Sequence, residues 1–194
     1  LWKGYKLWDL YKEAQTPLKW QKELFNYSKK IKIPCFSTPY DDEGVDLLKK
    51  LNSKLYKVSS FEMKDSSLVK KICSIGKPVI ISTGLANLKE ISEVYKIAKK
   101  SGCKQLLLLY CVSSYPAKNT DFNLNNIDIL KKRFKCEIGF SDHSIDNSVA
   151  MLAISRGARV IEKHIALDGQ KDGLDIEFSI KGKEIKKFKE DMLK

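Results

Sequence analysis

The chain of 194 residues can form one domain with a sizeable core, and its 43% hydrophobic and 31% charged residues exclude disorder as a description of the whole. Its 36 basic against 24 acidic residues give a net charge of +12, yet the only arginines are Arg133, Arg156 and Arg159. The lysines are spread in pairs over helical surfaces and no nucleic-acid-binding motif occurs, so nucleic acid is not the expected partner.

The opening stretch, LWKGYKLWDLYKEAQ, lacks the apolar run of a signal peptide. Thr16 followed by Pro17 predicts a helix with Thr16 as cap and with Leu18, Leu24 and Phe25 facing the core. Short apolar runs follow at IPCFST (33–38) and LYKVSS (55–60), each read as a strand. Asp65 begins a helix with Leu68, Val69, Ile72 and Cys73 inward. After a strand at PVIIST (78–83), Asn87 and Glu90 form a capping-box start to a helix with Leu88, Ile91, Val94, Ile97 and Ala98 on one face. Further strands are expected at QLLLLYCVSS (105–114), CEIGFS (136–141) and RVIEKHI (159–165). The longest apolar run, residues 106–112, is far short of the ~20 residues that span a bilayer, so no membrane partner is expected. The five cysteines are scattered and never in CxxC spacing, as for free buried thiols in a reducing cytoplasm. The chain starts on Leu, has its first methionine at Met63 and ends within a helical pattern, and so reads as part of a longer protein.

Six strands alternating with helices, apolar throughout, predict a parallel sheet covered by helices. No GxGxxG follows a strand, which disfavours a dinucleotide fold. The strand ends are polar in every case: Ser37-Thr38, Ser59-Ser60, Ser82-Thr83, Ser113-Ser114, Ser141-Asp142-His143 and Glu162-Lys163-His164. In a barrel such ends converge on one mouth, whereas in an open sheet they lie along a line. The expected fold is therefore α/β, a partial (β/α)8 barrel with about six of eight strands, as a single incomplete domain over residues 1–194.

The two histidines of the sequence, His143 and His164, end successive strands and so can meet at one divalent metal ion with open positions. Lys57 lies inside an apolar strand, where an unpaired ammonium is costly, and with the hydroxyls at the strand ends it forms a candidate anion site. Glu62 is a candidate for binding substrate hydroxyls or for capping the next helix. Glu162 and Lys163 are read either as a structural ion pair or as ligand contacts, and Tyr115-Pro116 as a turn.

The strings FSTPYDDEGVDLL, YKVSSFE, GKPVIISTGLA, CVSSYPA, GFSDHS and IEKH, in this order, resemble the sialic acid synthase family, enzymes that condense phosphoenolpyruvate with an N-acetylated amino sugar. LWDLYKEAQTPLKWQKELF looks most like the pseudaminic acid branch. The resemblance implies an eight-stranded barrel followed by a small antifreeze-like domain, and a homodimer in which that domain reaches the partner's site. On this reading the chain lacks the first two strands and the antifreeze-like domain. The resemblance further implies Mn2+ or Mg2+ held by His143 and His164, which with Glu62 would form the catalytic set. Phosphoenolpyruvate contacts are implied at Thr38, Lys57, Ser60, Ser82, Ser113 and Ser141, and sugar contacts at Glu62, Tyr115 and Asp175. This chain departs from the family pattern at Asp146, where glycine is expected, at Ile165-Ala166, and at Gly173-Leu174-Asp175.

Overall fold

In the computed structural model, which describes Gly4 and residues 6–193, several helices begin where a side-chain oxygen caps exposed backbone N–H groups. Asp41 accepts from the Gly44 N–H and opens α3 (Asp42–Lys50). Asp65 accepts from the Ser67 and Leu68 N–H groups and opens α4 (Ser66–Ser74). Asn87 and Glu90 complete the expected capping box at the start of α5 (Leu88–Lys100). The earlier α1 (Leu7–Ala14) and α2 (Leu18–Ile31) lack such caps; α2 starts after Pro17, and Thr16 makes no cap bond. Later come α6 (Asn125–Arg133), α7 (Ser148–Ser155) and α8 (Ile185–Met192).

Between these helices run β1 (Tyr56–Val58), β2 (Val79–Ser82), β3 (Leu106–Cys111), β4 (Glu137–Asp142) and β5 (Ile161–Lys163). They form one parallel sheet in chain order, and β6 (Ile165–Ala166) pairs separately with β7 (Ile180–Lys181). Parallel register sets Val58, Ile81, Leu108 and Ile138 in one row across the sheet. Successive side chains on a strand point to opposite faces. This row therefore packs on the helices, and all four residues are buried in the core with Ile72 of α4, Val94 of α5 and Leu130 of α6. The alternate residues, among them Lys57, Ser82, Leu109, Gly139, Ser141 and Glu162, line the other face.

That other face is concave. A flat five-stranded sheet would hold β1 and β5 about 19 Å apart, yet Lys57 Nζ and Glu162 Oε2 approach to 3.5 Å. The sheet thus curls into a half-barrel. Gly139 permits the tight curl: a Cβ there would lie 2.7 Å from both the Leu109 Cδ2 and the Val160 carbonyl oxygen.

Five strands enter the sheet where six were expected. Residues 33–38 form no ladder: Pro34 lacks an N–H, the Ile33 N–H bonds back to the Ser28 carbonyl, and β1 pairs with β2 alone among the described residues. Two of the predicted core leucines of α2 also face outward. The buried stripe there is Gln21 and Phe25; Leu24 lies about 100° round the helix from Phe25 and Leu18 sits at its first turn, so both are exposed. Leu88, the first residue of α5, is exposed for the same reason as Leu18. All five cysteines are free thiols, and among the described residues no helix is long and apolar enough to cross a membrane.

Candidate active site

The site lies at the carboxyl ends of the strands. His143 follows β4 and His164 follows β5, and their ring centroids are 5.4 Å apart at an interplanar angle of 63°. His143 Nδ1 is 2.9 Å from the Val112 carbonyl, which can only accept, so Nδ1 carries the proton and Nε2 holds the lone pair. Burial pushes the His143 pKa below its usual value, against the opposing pull of the Val112 carbonyl, and favours the neutral ring. His164 is oriented by Asp175, whose Oδ2 lies 3.2 Å from its Nδ1. A carboxylate behind an imidazole fixes the ring and raises its basicity as a ligand. Phe178 packs edge-on against both rings, at 6.0 and 5.0 Å, and Tyr115 lies 4.4 Å from His143. Burial raises the Tyr115 phenol above its ordinary pKa, so it is a neutral donor.

This donor set fits a divalent ion. Both Nδ1 atoms are engaged, so the Nε2 atoms are the ring nitrogens left for a cation whose other positions are open to water or substrate oxygens, with Ser141 Oγ 3.5 Å from the Nε2 of His143. No cluster of three or more His, Cys, Asp or Glu arranged around an ion occurs among the described residues. Among the described residues, the groups on offer to an ion here are the two imidazoles.

Beside the histidines the concave face is polar. Glu162 bridges the sheet: its Oε1 accepts from Ser141 Oγ at 2.7 Å while Oε2 faces the Lys57 ammonium. Ser60 Oγ accepts from the Gly84 N–H at 3.0 Å and stands 3.5 Å from Cys111 Sγ. Gly84 leaves the floor open, since a Cβ there would lie 2.4 Å from Ser113 Oγ and 2.7 Å from Cys111 Sγ. Ser82 Oγ is buried and has no hydrogen-bond partner among the described residues. A buried hydroxyl is costly without a partner, and an anionic oxygen above this floor would supply one. Glu62 accepts from Ser59 Oγ, and burial raises its carboxyl pKa despite the opposing effect of nearby Lys57.

Ten of the residues singled out from sequence converge. Lys57, Ser60, Glu62, Ser82, Ser113, Ser141, Tyr115, His143, His164 and Asp175 share the concave face and its rim. Thr38 is half-buried in the unpaired stretch before α3 and makes no hydrogen bond to any of them. Glu162 and Lys163 divide their roles: Glu162 faces the site, while Lys163 points to the helix side and pairs with Asp142. Asp146, standing where glycine was expected, accepts from the Ser148 N–H and opens α7. Phe178 was missed, because a single aromatic in a polar loop carries no periodic signal.

A model of the NeuB family matches residues 1–194. The chain is 39% identical over 186 residues to the pseudaminic acid synthase of Campylobacter jejuni, covering 96% of this chain and 54% of that protein. It is 39% identical over 180 residues to the N,N'-diacetyllegionaminic acid synthase of the same species, covering 92% of this chain and 54% of that protein. Among solved structures, the N-acetylneuraminic acid (sialic acid) synthetase of Leptospira borgpetersenii, in complex with citrate, superposes with a TM-score of 0.89 at 33% identity. That match covers 98% of this chain and 67% of the other. The chain spans about half the length of the curated relatives it matches. On the match over its whole length, the chain belongs to the NeuB family.

Proposed function

We propose that this chain carries the catalytic face of a synthase that condenses phosphoenolpyruvate with an N-acetylated amino sugar to a nine-carbon 2-keto sugar acid, in the cytoplasm. The observation that carries the reading is the pair of imidazoles, with ring centroids 5.4 Å apart, beside a floor holding Lys57 and serine hydroxyls. Similarity to the Campylobacter jejuni enzyme favours pseudaminic acid as product, with 2,4-diacetamido-2,4,6-trideoxy-altrose as acceptor. Equal identity to the legionaminic acid synthase makes the corresponding acceptor the second reading.

Thr38, Lys57, Ser60, Ser82, Ser113 and Ser141 would hold the phosphate and carboxylate of phosphoenolpyruvate. Glu62, Tyr115 and Asp175 would bind the sugar hydroxyls and acetamido groups. So held, C3 of phosphoenolpyruvate attacks the aldehyde carbon of the open-chain sugar, water adds at C2, and the tetrahedral product of that addition loses phosphate. Glu62, whose carboxyl is pushed above its ordinary pKa by burial, is the side chain best suited to deliver a proton to the new alkoxide. A divalent ion, Mn2+ or Mg2+, on His143 and His164 would supply Lewis-acid polarisation of the aldehyde. Alignment of the two substrates is the other main source of rate.

The test is an assay of phosphate release and of the nine-carbon product with a panel of acceptor sugars, on the protein expressed from its whole reading frame. Product from the altrose derivative in preference to the others is expected. No product from any acetamido sugar would overturn the reading, and product from the legionaminic precursor alone would move it to that branch.

A further inference from the structure

On the far side of the sheet from the site lies a buried ion pair that the chemistry above does not use. Lys163 Nζ is 2.9 Å from Asp142 Oδ2, with side chains 3% and 0% exposed. The same ammonium donates to the Ser144 carbonyl, and Asp142 Oδ1 accepts from the Ser144 N–H at 2.9 Å. Asp142 and Ser144 flank His143, and Lys163 directly precedes His164. One ammonium thus ties both neighbours of the first imidazole to the neighbour of the second.

The location within the ladder gives the pair its purpose. Asp142 opposite Lys163 is the last register pair between β4 and β5. Beyond it the strands part: the His143 carbonyl accepts from the Ala117 N–H and the His164 carbonyl from the Ile180 N–H. Among the described residues, no backbone bond then relates one histidine to the other. Burying two charges is a poor source of stability, since desolvation offsets their attraction and an apolar pair would hold the strands as well. Charge-assisted bonds are directional, however, and fix orientation as an apolar contact does not.

We propose that Asp142 and Lys163 form a positioning clamp that sets the mutual orientation of His143 and His164 for a divalent cation. The cation half of this proposal rests on the metal reading above; the clamp itself does not. The test compares the chain with the double variant D142N/K163M, in which both charges are gone but the amide oxygen introduced by D142N can still accept the Ser144 N–H. With only two histidines in the sequence, the ring signals in nuclear magnetic resonance are unambiguous. The expected result is a variant that melts cooperatively, loses the ring-to-ring Overhauser contact without metal, and binds Mn2+ at least about tenfold more weakly in calorimetry. An intact ring contact together with unchanged Mn2+ affinity would overturn the clamp. If the parent chain binds no Mn2+ but the variant loses the ring contact, the metal reading fails and the clamp stands. Should the double variant not fold, Lys163→Arg, which keeps the charge but not its single-point geometry, is judged by the same ring contact and affinity.

Discussion

Lys57 and Glu162 stand on the two outermost strands of the five-stranded sheet and still meet at 3.5 Å across its hollow side. Lys57 thus sets a cation within the serine-lined floor, held there by a carboxylate that Ser141 also steadies. Lys57→Met is expected to weaken phosphoenolpyruvate binding roughly ten- to a hundredfold, the worth of a charge-assisted bond of about 1.5–3 kcal/mol. Mn2+ affinity should be unchanged, because neither imidazole touches this lysine. Calorimetric titration with each ligand checks both statements, and undiminished phosphoenolpyruvate affinity would remove Lys57 from the anion site.

Glu62 should leave a pH signature on stability. Burial raises its folded pKa above 4.5, so ionisation is harder in the folded state than in the unfolded chain. The resulting penalty is absent below about 4.5, where both states are protonated, and grows as pH rises through the folded value. Glu62→Gln should therefore raise the melting temperature at pH 7, and the gain should vanish by about pH 4. A gain that is the same at both pH values would contradict a shifted carboxyl.

Gly84 tests the floor. A methyl there meets Ser113 Oγ and Cys111 Sγ inside contact distance, so Gly84→Ala should cost about 1–3 kcal/mol in urea denaturation. It should also lower phosphoenolpyruvate affinity, because the displaced side chains border the same space. A variant with parental stability and affinity would show that the floor has slack.

Phe140 tests the other face. It is fully buried, packs edge-on against Phe122 at 5.6 Å and lies near Tyr110 at 6.1 Å. Phe140→Ala should cost about 3–5 kcal/mol, measured by denaturant unfolding, while residual folded protein keeps its affinity for phosphoenolpyruvate.

What could be read from sequence was what depends on near neighbours in the chain. The Asp65 cap, the Asn87–Glu90 box and the inward faces of α4 and α5 are local patterns with local causes. The approach of His143 to His164 was legible because both follow adjacent strands of one repeat. The failures share a different origin. Whether residues 33–38 pair depends on what lies beside them, and whether Leu18, Leu24 or Leu88 is covered depends on how far the neighbouring layer extends. The partner of Lys163 depends on register: a shift of one residue would have turned it toward the hollow and Glu162 toward the helices. Phe178 enters the site from a loop whose path no spacing announces.

The alternation of side chains along each strand has a further consequence. In β4 and β5, consecutive positions face different surroundings: Ser141 and Glu162 the hollow where the proposed ligand would lie, Phe140, Asp142 and Lys163 the helix side. A saturation scan read by both abundance and ligand retention should display this as a two-beat stripe. Loss of binding at one position would be followed by loss of protein at the next.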